Sequence, residues 1–274
     1  MNILVIHSHN ANRGDEAAVK AMVDELLIKY PGAKITISNN GFTPYPGMPE
    51  NIIQIDRFPK LESRMAQLEF FIVLLFKGKF AFTKEARKFI RALKEADVVL
   101  HAPGGPSIGD TYFKAEKLYL WRLNLIRRMG IPYIFYAPSM GPFNCTSRNK
   151  LRKEVISGAE RIVLRDPISV KYVKDFLPGV EVEQALDSAL QHDIDIDKNE
   201  RKYNNYPELK NFIENHEKCI GITITDLKWH PVHKNEKIIE QIPTAFKAFI
   251  TQKVKEGYGV IFIPQLYGNL NDTK

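Results

Sequence analysis

The sequence predicts a doubly wound α/β domain, a parallel sheet covered by helices. Apolar runs of strand length alternate with helical-period segments through the first two thirds of the 274 residues. The helical segments stop at breakers such as Pro31-Gly32 and Gly130, and polar or glycine-rich stretches follow the strands.

Asn2–His7 opens the chain as a strand: its apolar run has no basic region ahead of it, which separates it from a signal peptide. A helix over Asp15–Tyr30 and a strand over Lys34–Ser38 follow. The run Phe70–Phe76 is far short of the ~20 residues that span a bilayer and reads first as a buried helix. Lys77, Lys79 and Lys84 beside it leave a peripheral membrane contact as the functional alternative. The pattern continues with a helix at Lys84–Glu95, a strand at Val98–Ala102, a helix at Phe113–Met129 and a strand at Tyr133–Ala137. A helix at Ser147–Gly158, a strand at Arg161–Leu164, a helix at Pro167–Phe176 and a strand at Val180–Glu183 complete a first domain over residues 1–190.

Residues 191–206 are charged and lack apolar periodicity, as a crossover linker would. A second α/β unit occupies 207–274, with a helix at Pro207–Glu214, a strand at Cys219–Thr225, a helix at Glu236–Glu256 capped by Gly257, and a strand at Val260–Pro264. A Rossmann-like lobe normally needs about 100 residues to cover its sheet, so the expectation is that the chain ends before this domain is complete.

Composition narrows the function classes. With 44% hydrophobic and 26% charged residues the chain is globular, not fibrous or disordered. Its 39 Lys+Arg against 32 Asp+Glu, a formal +7, suit an anionic partner. No zinc-finger spacing, Arg/Gly-rich tail or RNP-type motif is present, so nucleic acid is not the expected one. Cys145 and Cys219 have no partner at redox or metal-ligand spacing, which fits a reducing, cytoplasmic compartment.

Ligands of doubly wound sheets bind beyond the carboxyl ends of the strands, so the loops there carry the chemistry. After the first strand come Asn12, Gly14 and Asp15, readable as a helix cap or as ligand contacts. His7 and His9 are candidate proton donors, or simply solvated loop histidines. Pro103-Gly104-Gly105-Pro106 could turn bare N–H groups toward an anion or sugar, but it matches neither the dinucleotide fingerprint nor a P-loop. Ser139-Met140-Gly141-Pro142-Phe143 forms a tight loop. Arg165 is the best single anion ligand, the structural alternative being an ion pair with Asp166 or Asp187.

In their order, Asn12-x-Gly14-Asp15, Gly104-Gly105 with Asp110, Ser139-x-Gly141-Pro142-Phe143, Arg165-Asp166-x-x-Ser169, Asp187-x-Ala189 and Pro264-Gln265 resemble the polysaccharide pyruvyl transferase family over essentially the whole chain. The resemblance implies a GT-B-like pair of Rossmann-like domains with a cleft between them. It also implies transfer of the pyruvyl group of phosphoenolpyruvate to a sugar or lipid-linked saccharide of a cell-surface or exopolysaccharide, forming a ketal and releasing phosphate.

On this reading Asp15 is the catalytic residue, as base or as acceptor of a sugar hydroxyl. Arg165 and Gln265 hold the donor, and Asn12, Gly104, Gly105, Ser139 and Asp187 hold the acceptor. Neither a cofactor beyond phosphoenolpyruvate as co-substrate nor a metal is required. Two departures stand out: the family's Arg-Leu-His-type segment has no counterpart before Lys274, and Pro103-Gly104-Gly105-Pro106 replaces a run of three glycines. The alternatives are a GT-B-type glycosyltransferase using a nucleotide sugar and a non-catalytic carbohydrate-binding or assembly protein.

Overall fold

A computed structural model describes residues 1–40, 44–59, 64–191, 194–224 and 236–266. The chain divides into two units, Met1–His192 and Asp193–Lys274. The first begins with β1 (Asn2–Ser8), α1 (Arg13–Lys29), β2 (Lys34–Asn39) and β3 (Ile53–Asp56). It continues through α2 (Arg64–Leu75), α3 (Lys84–Glu95), β4 (Val98–His101), β5 (Gly104–Ile108) and α4 (Phe113–Met129). β6 (Tyr133–Tyr136), β7 (Pro138–Met140), α5 (Asn149–Ser157), β8 (Arg161–Leu164), α6 (Pro167–Phe176) and β9 (Glu183–Gln184) follow, then a 3-10 turn at Ser188–Gln191.

Seven strands form one parallel sheet in the order β3-β2-β1-β4-β6-β8-β9. β1 is buried along nearly its whole length, as a central parallel strand must be when helices cover both faces. Its side chains alternate between two cores. Leu4 and Ile6 join Phe70, Phe89, Leu123 and Phe135 on one face, while Ile3 and Val5 join Val19, Met22, Ile35 and Ile37 on the other. The strand order reverses between β1 and β4, and sheets of this kind open a ligand crevice at such a reversal.

Helix ends follow local chemistry. Asn12, Thr83 and Asp166 cap α1, α3 and α6 with side-chain acceptors, and Gly130 ends α4 in the left-handed conformation at φ 74°.

Five elements of the first unit differ from the sequence reading. The strand expected at Val180–Glu183 is reduced to Glu183–Gln184, because Val180 and Val182 pack on the core as irregular chain. β5 and β7 pair as a separate two-stranded sheet, and β3 adds an edge strand. The apolar segment read as a buried helix is buried on one side only: α2 turns Phe70 and Val73 inward and leaves Leu68, Phe71 and Leu75 exposed.

In the second unit, α7 (Ile196–Asn204) and α8 (Pro207–Glu214) precede β10 (Lys218–Ile222), α9 (Glu236–Lys255) and β11 (Tyr258–Phe262). β10 and β11 pair in parallel. Thr225, expected at the end of a strand, lies outside the described residues. The stretch expected to be an irregular crossover contains α7, capped by the Asp195 side chain 2.8 Å from Lys198 N. α7 buries no side chain, so its sequence carries no apolar period to read. Among the described residues no helix is long and apolar enough to cross a membrane.

Candidate active site

The chain beyond the carboxyl ends of β1, β4, β6, β8 and β9 converges on one place. From β1, the chain turns at Asn12, whose Oδ1 accepts the N–H groups of Gly14 at 2.8 Å and Asp15 at 3.4 Å. This cap sets Asp15 in the first turn of α1, where the helix dipole favours a negative charge. From β4 comes the glycine loop: the Asp15 carboxylate accepts the backbone N–H of Gly105. Gly104 has φ 144°, and a Cβ there would stand 2.9 Å from Asp15 Oδ1. Glycine is therefore required at 104 both for its backbone and for the carboxylate packed on it.

Burial disfavours the charged form of Asp15, and Asp187 adds repulsion. Against the opposing pull of Arg165 and the Gly105 hydrogen bond, these raise its pKa from 3.8 to about 6.

β6 and β8 supply the neighbouring cation. Arg165 Nε donates to Ser139 Oγ at 2.9 Å and Nη1 to Asp187 Oδ2 at 2.5 Å, the ion pair the sequence offered as its structural role. Ser139 Oγ in turn donates to Asp166 Oδ2 at 2.9 Å. Asp166 also accepts the backbone and hydroxyl of Ser169, and these bonds hold its carboxyl below the usual range despite partial burial. Arg165 Nη2 has no protein hydrogen bond among the described residues, so one edge of the guanidinium remains for an anion.

Asp187 is fixed beyond β9 by Ala189 N, 3.0 Å from Oδ1. Ser188 Oγ, donating to Ala18 O at 3.0 Å, ties that turn to α1.

The structure thus brings Asp15, Gly104, Gly105, Ser139, Arg165 and Asp187 together, with Asn12 beneath them as a cap. Asp15 and the glycine loop flank the β1/β4 reversal. Arg165 reaches the group from β8, two strands away from β4. Gln265 belongs to the second unit, exposed just after β11.

The histidines differ from the sequence readings: His7 is buried and His9 half-buried, and neither is a ready proton donor. His7 lies at φ 61° with 2% of its surface exposed and neither ring nitrogen hydrogen bonded. Its pKa is driven well below the ordinary value by burial first, then by His101, Arg122 and His9 beside it. His9, hydrogen bonded through Nε2 to Tyr119 at 2.8 Å, is lowered to about 4.

Sequence reasoning missed three supports. His101 donates through Nδ1 to Ala102 O at 2.8 Å, so its Nε2 accepts the Ser107 hydroxyl at 2.7 Å, and this pair pins β5 behind the glycine loop. Arg122, buried in α4, donates to Phe58 O at 2.6 Å and Asn40 Oδ1 at 2.7 Å, holding the loops after β2 and β3. Glu116 and Arg152, both fully buried, pair at 2.7 Å, and Arg152 also binds Asp110 at 2.7 Å. Asp110 is thereby committed to the loop that carries Gly141. Glu116 was visible in principle, as a carboxylate on the same helical stripe as Leu120 and Leu123.

A parallel sheet flanked by helices, with charged and glycine loops gathered at its carboxyl edge, defines a Rossmann-like ligand-binding unit. The family model of polysaccharide pyruvyl transferases matches residues 12–271, nearly the whole chain, and the chain belongs to that family of enzymes. No curated protein matches it.

Proposed function

We propose that this enzyme transfers the pyruvyl group of phosphoenolpyruvate to two hydroxyls of a sugar in a cell-surface or exopolysaccharide. The observation that carries this reading is the proximity of a high-pKa carboxylate, Asp15, to a fixed cation, Arg165, at the carboxyl edge of the sheet. A carboxylate of pKa about 6 is mostly ionised at neutral pH and is a stronger base than an ordinary aspartate.

The chemistry follows from those two groups. Asp15 accepts the proton of the attacking sugar hydroxyl as the C–O bond forms at the enol phosphate carbon, and the neighbouring methylene takes up one proton from solvent to become a methyl group, a proton that Asp15 gives back to solvent as the cycle closes. The bond to the phosphate oxygen then breaks and phosphate leaves with the electron pair. The second hydroxyl adds to the resulting oxocarbenium centre and releases its proton, which balances the phosphate. Arg165, oriented by Ser139 and Asp187, holds the carboxylate or phosphate of the donor. The Gly104-Gly105 loop and Asn12 orient the acceptor.

Pairing of the two units in the GT-B manner, with Gln265 as a further donor contact, belongs to the same reading. So does a cytoplasmic site of action, where a lipid-linked saccharide acceptor would be met at the inner face of a bilayer.

Calorimetric titration of the full-length protein with phosphoenolpyruvate, beside UDP-sugars in the same buffer, tests the donor. Selective phosphoenolpyruvate binding, lost in Arg165→Ala, is the expected result. Binding of a nucleotide sugar with no response to phosphoenolpyruvate would replace this reading with glycosyl transfer.

A further inference from the structure

We propose that the exposed face of α2 and the lysine loop after it dock the enzyme on the anionic surface of a lipid bilayer. Nothing in this docking depends on the identity of the pyruvyl donor.

α2 has two apolar faces, and the fold uses one of them. Phe70 and Val73 are fully buried, and Phe70 stacks on Trp121 of α4 with ring centroids 5.5 Å apart. On the other face Met65, Leu68 and Leu75 are 74%, 54% and 64% exposed. At 100° per residue these positions share one stripe of the helix. The loop that follows adds Phe80 and Phe82, both exposed. So many exposed large apolar side chains in one 18-residue stretch are what marks an interaction site.

The loop is built into a fixed shape. Gly78, at φ 74°, donates its N–H to Val73 O at 2.8 Å and closes the end of α2. The buried carboxylate of Glu69 accepts Phe82 N and Thr83 N, each at 2.7 Å, and the Thr83 hydroxyl at 2.9 Å. Glu69 therefore straps the loop back along the helix, and Phe80 packs against Phe76 at the helix end with ring centroids 5.0 Å apart.

Charge selects the occupant. Between Arg64 and Lys84 the chain carries Arg64, Lys77, Lys79 and Lys84, all exposed, and its one acid is the inward-facing Glu69. A second copy of the chain docked face to face would set these cations against their own symmetry mates. A bilayer of anionic headgroups neutralises them while its acyl boundary receives the leucines and phenylalanines, as interfacial helices require.

The test is co-sedimentation of the full-length protein with phosphatidylcholine vesicles, with or without about one third phosphatidylglycerol, at low salt and at about 0.5 M salt. Binding to the anionic vesicles at low salt, weakened by salt and by omission of phosphatidylglycerol, is expected. Lys77→Gln/Lys79→Gln should weaken it about 30-fold, at about 1 kcal/mol for each lysine near the surface. Leu68→Asp/Leu75→Asp should abolish it without changing the melting temperature, because both side chains lie mostly outside the core.

Failure of the wild-type protein to sediment with anionic vesicles at low salt would overturn the proposal. So would equal binding by the Leu68→Asp/Leu75→Asp variant with its fold intact. Light scattering on the same pair separates the competing occupant: a wild-type dimer that the double aspartate converts to monomer, with no vesicle binding by either, assigns the face to self-association instead.

Discussion

Asp15→Asn should make the protein more stable and less active, and the gain follows from the environment of Asp15. Folding raises the pKa of this carboxyl from 3.8 to about 6. Each tenfold change in proton affinity corresponds to roughly 1.4 kcal/mol, so holding Asp15 ionised in the fold costs about 3 kcal/mol. The sign is that of a raised pKa. The favourable contribution is complete below pH 4, where Asp15 is protonated in both states, and is lost as pH rises through 6. Asp15→Asn removes the charge while keeping an oxygen to accept the Gly105 N–H.

Urea unfolding at pH 7.5 should therefore find the variant about 3 kcal/mol more stable than wild type, a difference that disappears below pH 4. At the same time pyruvyl transfer should fall by about 10²–10⁴-fold, the usual contribution of a general base. A variant no more stable at pH 7.5, or a stability difference that is flat with pH, would refute the assignment of Asp15 as a buried, charge-strained carboxylate. A stabilised variant with normal turnover would keep that electrostatic account and remove Asp15 from catalysis.

Further expectations concern the rest of the site. In the wild type, kcat/KM should fall tenfold per pH unit below about 6 as Asp15 takes up a proton; a limb near pH 4 in the pH–rate profile would assign the base elsewhere. Arg165→Ala should weaken donor binding about 10- to 100-fold by calorimetry, as loss of a charge-assisted contact does, and unchanged affinity in a folded variant would free Arg165 of that role. Glu116→Gln leaves Arg152 buried with half its counter-charge and should cost about 3–5 kcal/mol, seen as a melting temperature lower by about 10 °C. Gly109→Ala would drive a Cβ within 2.6 Å of the Gly141 backbone at φ 136°, so a wild-type melting curve for that variant would contradict the close approach of the two loops.

The long amphipathic elements were legible because the core writes its period into them. Lys84–Glu95, Phe113–Met129, Pro167–Phe176 and Arg161–Leu164 have the same limits in sequence and structure. β5 was not legible: Gly104, Gly105 and Pro106 have poor strand propensity, and the segment is extended only because Gly104 and Ile108 pair with Pro138 and Met140. α2 was misjudged because apolar residues on both faces look the same whether two faces are buried or one.

The site shows the same division. Glycines, a cap and an arginine after strands announce a ligand edge, so Asp15, Gly104 and Arg165 could be chosen from sequence. That Arg165 is held by Asp187, and that Arg122 and His101 brace the loops from behind, depends on contacts between residues far apart in the chain, which local patterns do not record.

The hydrogen bond from Ser188 to the carbonyl of Ala18 joins residues 170 positions apart. It brings the last turn of the first unit against its first helix, and Asp187 arrives with it. Asp15 leaves the ribosome early, whereas the carboxylate that helps to raise its pKa, and that anchors Arg165, comes almost two hundred residues into translation. A chain cut before Asp187 would therefore set Asp15 beside Arg165 without the opposing carboxylate, so the charge balance at the base depends on both ends of the unit having met.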